Sequence, residues 1–243
     1  MMGTRMTQIT QIFTDFNYQN NMKRAFLFAL VCFLFLEKTT AQTNLFEKEI
    51  IAFEAKDSVN KPILGQIMLY GSSTIRFWTS YETDFTTPNL KVINRGFGGS
   101  QTSDANLFFE RVVVPHHPKY IFFYEGDNDI NAGKSVDSVF MAYEIFVQKV
   151  KTQLPKTKVI LFSIKPSPSR MQHFAKQREL NKRLWKWTKK TKGLYYIDTF
   201  SRMLDKEGKP DAQLFKPDML HMKPEGYAIW AKEVQKLLKR LEK

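Results

Sequence analysis

The chain has 243 residues, 43% of them hydrophobic, which suits one sizeable domain. Its 37 lysines and arginines against 24 acidic residues leave a formal net charge of +13; the cations are scattered, so the charge is read as a solubility feature and no nucleic-acid partner is expected. A single cysteine, Cys32, lies in a segment expected to be removed, which excludes a disulfide framework, a thiol nucleophile and a thiolate metal site.

The first element in chain order is a leader. "MKRAFLFALVCFLFLEKTTAQT" starts with Lys23 and Arg24, continues with an apolar run from Ala25 to Leu36, and ends in small polar residues up to Ala41. That order is the signature of a secretory signal peptide. The apolar run is about 12 residues long, against the roughly 20 that a membrane span needs. Cleavage is expected near Ala41, with translation starting at Met22 and residues 1–41 forming the signal region. The product, residues 42–243, is expected as a single domain, secreted or periplasmic, with no stable membrane insertion after cleavage. An uncleaved anchor is the competing reading. A lipoprotein cut would need a small residue before Cys32, where Val31 stands.

Beyond the leader, "NLFEKEIIAFEAKDS" places Phe46, Ile50, Ile51 and Phe53 at mostly helical spacing. "GQIMLYG" and "KVINRG" read as strands that end in glycine. "TSDANLFFERVVV" reads as one helix with cap-competent Thr102, Ser103 and Asp104 at its start. "YIFFYEG" is a third strand, aromatic and β-branched. A helix capped by Ser135 and stopped by Pro155 follows. "KVILFSI" is a fourth strand, "MQHFAKQRELNKRLWKWTKK" a long helix and "GLYYID" a fifth strand. A terminal helix opens at Pro224. The basic run from Lys182 to Lys192, interleaved with Trp185 and Trp187, is read as the solvated face of an amphipathic helix. Continuously apolar strands alternating with helices predict an α/β fold: a doubly wound, five-stranded parallel sheet in a three-layer α/β/α sandwich. In such sheets ligands bind outside the carboxyl ends of the strands.

Four segments are expected at that edge: "GSS" after the first strand, "NRGFGGSQTSD" after the second, "EGDNDI" after the third and "KPDMLHMKPEGY" before the last helix. Each alone has a plain explanation as a cap, a turn, a polar loop or a structural histidine. Together they supply a hydroxyl, backbone donors, an amide and an acid–base pair. Their order resembles the conserved blocks of the GDSL-type (SGNH) hydrolase superfamily of esterases and lipases, and they spread over nearly the whole chain after the leader. The resemblance implies a flavodoxin-like sheet and a serine ester hydrolase. Carried over residue by residue, Ser73 of Gly71-Ser72-Ser73 is the nucleophile, with Ser72 where the family usually has aspartate. Gly99, or Gly98 in an alternative register, offers an oxyanion N–H. Asn128 of the intact Gly126-Asp127-Asn128-Asp129 block offers an amide, and Asp218 and His221 form the intact Asp-x-x-His block.

The residues support the same chemistry independently. A serine hydroxyl needs a base to take its proton. Histidine is the side chain whose unperturbed pKa lies near neutrality. Of the four histidines, His221 has a carboxylate three residues away, whereas His116 and His117 follow "VVVP" and His173 lies in a basic helix. The N–H groups of Ser73 and Gly99, with the Asn128 amide, would form the oxyanion hole. In "KPSPSRMQHF", Arg170 and Phe174 are expected to shape the substrate-binding side.

The expected activity is removal of short acyl groups, acetyl first, from carbohydrate. A lysophospholipase or short-chain lipid esterase is the alternative, and a catalytically silent glycan-binding module is the reading of another class. No cofactor and no metal are called for. A metal-dependent hydrolase using Asp127, Asp129, Asp218 and His221 competes, and full activity in EDTA would reject it. A phosphate loop is disfavoured, because six residues rather than four separate Gly126 from Gly133 in "GDNDINAGKS". The G-x-S-x-G elbow of α/β-hydrolases does not occur.

Overall fold

Five short apolar runs become five parallel strands in one sheet: β1 (Ile67–Gly71), β2 (Val92–Gly96), β3 (Tyr120–Tyr124), β4 (Lys158–Phe162) and β5 (Leu194–Ile197), ordered β2-β1-β3-β4-β5. The computed structural model describes residues 45–242, so the expected leader, its cleavage point and Cys32 lie outside the described residues. The chain divides into two units, Met1–Lys48 and Glu49–Lys243. The first is described only over 45–48, which are helical; the second carries the sheet.

In the second unit the helices are α1 (49–59), α2 (Ser73–Arg76), α3 (Tyr81–Asp84), α4 (Thr102–Leu107), α5 (Phe109–Val112), α6 (Asp127–Asn131), α7 (Val136–Gln153), α8 (Phe174–Thr188) and α9 (Pro224–Leu241). Every residue of β1 and β3 is buried, as the unbroken apolar runs require of a sheet covered on both faces. Alternate residues point to opposite layers. Ile67, Leu69, Phe122 and Phe162 join Trp78, Phe85 and the α9 residues Trp230 and Val234 in one core, where Phe162 stacks on Trp230 at 4.6 Å. On the other face Tyr70 and Phe123 meet Phe146 of α7, with the Phe123 and Phe146 rings 3.9 Å apart and nearly coplanar. Such aromatic pairs add about 0.5–1.5 kcal/mol each beyond the area they bury.

The expected helix caps are partly as read. Ser135 accepts from Ser138 N–H at 3.1 Å, and Pro224 opens α9. Two helices differ from expectation. The segment from Thr102 is not one helix: it breaks at Phe108, and Pro115 then draws residues Val114–His116 into a 3₁₀ turn. Its cap is Gln101, in a reciprocal box with Asp104. The segment before α8 is likewise 3₁₀ over Pro168–His173, because proline supplies no N–H and Arg170 leaves helical dihedrals. "GDND" is not a loop but the start of α6.

The strand order reverses direction between β1 and β3, and there the crevice of such a sheet opens. Gly71 makes the approach possible. Its φ is +141°, and a Cβ there would sit 1.9 Å from the carbonyl oxygen of Tyr124. Only glycine lets β1 end this close to β3 and turn into α2.

Candidate active site

Ser73 is the first residue of α2, directly after the β1 glycine turn. Being at a helix start, its N–H has no acceptor among the described residues, whereas the preceding Ser72 N–H donates to Tyr124 O at 3.2 Å. The Ser73 hydroxyl lies 3.2 Å from His221 Nε2. The other ring nitrogen, Nδ1, lies 2.7 Å from Asp218 Oδ2. With the proton on Nδ1, the imidazole donates to Asp218 and accepts from Ser73. Residues 148 positions apart in sequence thus meet at one strand edge.

Asp218 precedes His221 by three residues, outside any helix. The two lie in a tight loop in which Asp218 Oδ1 accepts the N–H groups of Leu220 and His221, both at 2.9 Å. Residual burial acts to raise the Asp218 pKa, but the His221 ring and these two backbone donors outweigh it and hold the carboxyl at about 2. Asp218 is thereby aimed as well as ionised. The loop is closed by Lys216 N–H donating to His221 O at 2.8 Å.

Asn128 is the second residue of α6, just beyond the left-handed Gly126 that caps it. Its Nδ2 donates to Ser100 O at 2.9 Å, which spends one amide hydrogen and fixes the direction of the other. Gly99 has φ +85° and an exposed backbone whose N–H has no acceptor among the described residues. Gly98 differs, since its N–H donates to Glu49 Oε2 at 3.2 Å. Of the two registers considered from sequence, Gly99 is therefore the one with a free donor. Glu49 also pairs with Arg76, which seats this loop beside α2.

Other groups were missed by sequence reading. Ser100 Oγ reaches Glu125 Oε1 at 2.6 Å and Phe97 O at 3.0 Å. Burial, and then the charge of Asp129, push the Glu125 carboxyl well above the usual carboxylate range, so it keeps its proton. Asp129, wholly buried, accepts Thr102 N–H at 2.9 Å and Lys134 Nζ at 2.8 Å. Asp127 pairs with buried Lys165 at 3.1 Å and accepts Gln177 Nε2 at 3.2 Å. These ties lock the loop after β2 to the turn after β3, and the turn to the end of β4. They also occupy Asp127 and Asp129, two of the three carboxylates of the metal reading, while the third, Asp218, is turned to His221. Among the described residues no group of three or more His, Cys, Asp or Glu is placed to hold a metal ion. Phe77, one turn after Ser73, presents its ring edge-on to His221 at 4.9 Å and forms a half-exposed wall of the site. Its spacing from Ser73 was the available sequence signal.

The remaining expectations divide. Ser169, just before Arg170, donates through N–H and hydroxyl to Met219 O, which draws the segment carrying Arg170 to the His221 loop. Phe174 packs on Phe200 at 5.1 Å, so part of its surface is core rather than free lining. Among the described residues no hydrogen bond, ion pair or ring contact joins either residue to Ser73, His221 or Asp218. His116 is not an idle histidine: it is buried against Asp57 and Arg95 on the other side of β1. His173 ends the 3₁₀ turn before α8.

The arrangement can deprotonate a hydroxyl beside two free backbone N–H groups and an oriented amide, which is the equipment for acyl transfer. Comparison with known proteins bears on the family and the fold. The model of the GDSL-like lipase/acylhydrolase family matches residues 69–229. A GDSL-like lipase from Bacteroides thetaiotaomicron superposes with a TM-score of 0.68 at 21% identity, covering 79% of this chain and 98% of that one. A mutant of an acetyl-xylooligosaccharide esterase from Geobacillus stearmophilus gives 0.59 at 14% identity, over 71% and 94%. A carbohydrate esterase family 3 protein from Talaromyces cellulolyticus gives 0.52 at 20%, over 73% and 98%. At these identities the likeness is one of fold. The uncharacterized lipoprotein YqeF of Bacillus subtilis is 46% identical over 41 residues, a match that spans only 17% of this chain and 17% of that protein. Among the described residues no helix is long and apolar enough to cross a membrane. With its five-stranded parallel sheet and the family match across most of that sheet, the chain belongs to the GDSL-like lipase/acylhydrolase family and is an ester hydrolase.

Proposed function

We propose that the enzyme is an exported serine esterase that removes short acyl groups, acetyl foremost, from carbohydrate. One observation carries the catalytic part: Ser73 Oγ within 3.2 Å of an imidazole nitrogen whose partner nitrogen is held 2.7 Å from an ionised carboxylate. His221 takes the Ser73 proton as the hydroxyl oxygen attacks the ester carbonyl. The negative charge that develops on the carbonyl oxygen is met by the N–H groups of Ser73 and Gly99 and by Asn128 Nδ2. His221 then passes its proton to the departing sugar hydroxyl, leaving acyl-Ser73. Water, deprotonated by the same ring, attacks the acyl carbon and releases the acid. Asp218 keeps Nδ1 protonated and stabilises the transient imidazolium throughout.

Ser72 replaces the family's usual aspartate without touching the Ser73–His221 contact, so the departure leaves the reacting groups in place. The small-acyl reading rests on the open, partly exposed setting of Asp218, His221 and Phe77. The carbohydrate reading is in keeping with the activities named for two of the fold relatives, an acetyl-xylooligosaccharide esterase and a carbohydrate esterase. Export rests on the leader pattern of residues 22–41.

The test is release of acid from p-nitrophenyl esters of rising chain length and from acetylated xylan, pectin and peptidoglycan, with Ser73→Ala beside the wild type and EDTA in a parallel series. Acetyl esters are expected to be preferred, EDTA to have no effect and Ser73→Ala to be inert. Long-chain or lysophospholipid preference would replace the substrate part of the proposal. Activity that survives in Ser73→Ala, or a wild type inert on all esters, would end the catalytic part.

A further inference from the structure

A cleft of about 530 Å³ lies beside the β5 edge of the sheet, between α8 and the segment after β5. One wall is a single face of α8, where Arg178, Lys182 and Trp185 follow one another at spacings of four and three. The facing wall is formed by Tyr196, Asp198 and Phe200. This size is within the range of sites that hold small ligands.

Three features of the cleft bear on an occupant. Trp185 is 46% exposed, an unusual placement for the largest side chain, whereas the neighbouring Trp187 is used against Phe140. Arg178 and Lys182 are exposed and form no ion pair among the described residues, whereas the neighbouring Arg183 is paired with Asp137. The cleft holds one carboxylate, Asp198, which accepts Ser201 N–H at 3.0 Å and the Ser201 hydroxyl at 2.6 Å and keeps its charge, because both donors are neutral. Arg178 and Lys182, with Lys189 Nζ 5.6 Å from the Trp185 ring centre, outnumber the single carboxylate Asp198, and an aromatic platform in that setting favours a flat-faced ligand that carries negative charge.

The cleft is tied to the catalytic edge through packed side chains and backbone. Phe200 packs on Phe174 at the start of α8, and the segment before α8 is bound through Ser169 to Met219, two residues from His221. Cations recur at the catalytic end: Lys216 lies with its Nζ 5.1 Å from the Phe77 ring centre, and Arg170 stands beside Ser169. An occupant reaching from cleft to nucleophile must carry an acyl ester. Nucleic acid carries none. A lipid tail would meet Arg178, Lys182 and Asp198 where it needs apolar walls.

We propose that this cleft is a distal subsite for an acidic glycan, a uronate-bearing chain whose sugar faces stack on Trp185 and whose carboxylates meet Arg178 and Lys182, while the acylated sugar lies at Ser73. The proposal rests on the carbohydrate reading of the catalytic site. Calorimetric titration of the whole chain in the Ser73→Ala background separates the two, because it needs no turnover. Hexagalacturonate is expected to bind, and xylohexaose of the same length to bind at least about tenfold more weakly. Binding should weaken as salt rises. Trp185→Ala and the double variant Arg178→Gln/Lys182→Gln should each weaken hexagalacturonate about tenfold or more, with Trp185→Phe restoring most of the loss and thermal melting showing that the variants fold. With acetylated polygalacturonate as substrate, the same variants should lower kcat/KM at least about tenfold relative to kcat/KM on p-nitrophenyl acetate. Equal binding of the two oligosaccharides, indifference to both cation and tryptophan variants, or binding of lysophosphatidylglycerol micelles in place of hexagalacturonate would overturn the subsite. Absence of p-nitrophenyl acetate hydrolysis in the wild type would instead overturn the catalytic reading.

Discussion

Among the described residues, two aspartate–histidine contacts of similar length have opposite characters. His221 meets Asp218 at 2.7 Å in an open loop, with side chains 24% and 48% exposed. His116 meets Asp57 at 3.0 Å, with side chains 2% and 20% exposed. What separates them is the second ring nitrogen. That of His221 faces a serine hydroxyl, whereas Nδ1 of His116 is buried with no partner and its Nε2 is shared between Asp57 and, at 3.5 Å, Arg95. The first pair can pass a proton onward; the second can only hold α1 against β2 and the turn after α5. A carboxylate beside an imidazole therefore does not identify a base, and the group on its far side does.

The sharpest way to break this comparison is at the far side itself. Ser73→Ala should lower kcat on p-nitrophenyl acetate by about 10⁶-fold, the scale at which triads fail as units. His116→Gln should leave the same rate within about twofold, because no reacting group touches it; a loss of hundredfold would erase the distinction. Next in size, Asp218→Asn should cost about 10⁴-fold in kcat by presenting the wrong tautomer. The equivalent change in the structural pair, Asp57→Asn, should spare kcat and instead cost about 3 kcal/mol of stability, since it leaves Arg95 buried and uncompensated. Denaturant midpoints and turnover on the two variants check both halves. Asn128→Ala should follow, with a loss of about 10²–10³-fold, roughly 2.7–4 kcal/mol of transition-state stabilisation, and near-normal folding.

The smallest effects are on pH. Burial lowers the His116 pKa below 6.5 and the Arg95 charge adds to that, against the opposing pull of Asp57. The unfolded chain then takes up a proton near pH 6.5 that the folded chain refuses until lower pH, so stability falls as pH drops through that window. The decline in melting temperature from pH 7 to pH 5 should be shallower in His116→Gln. Asp218, at about 2 when folded against 3.8, has the carboxylate sign. Its contribution is present above about pH 4 and is lost as pH falls through 2. Being largely exposed, it should move the melting curve little, and Asp218→Asn should differ from wild type least at the acid end.

The strands, their parallel order and the edge at which the site opens were legible in the sequence, because apolar runs ending in glycine can only be buried by helices on both faces. Gly71, Asn128 and the Asp218–His221 spacing were legible for a similar reason: each is a residue type whose chemistry is narrow. The 3₁₀ turns at Pro115 and before α8 were not, since proline displaces hydrogen bonds whose replacement partners lie elsewhere in the fold, and nothing in the local pattern marked the break at Phe108. Nor could local pattern find the roles of Glu125, Ser100 and Asp129, ordinary polar letters until burial pushes one carboxyl's pKa up and turns another to accept a backbone amide. The same holds for the choice between Gly98 and Gly99, which depends on Glu49 arriving from α1 to occupy one N–H and leave the other. Composition and order along the chain determined which groups exist and which edge they share. Which donors are spent and which stay free was decided only by packing, because a hydrogen bond belongs to two atoms and most of these pairs are dozens of residues apart.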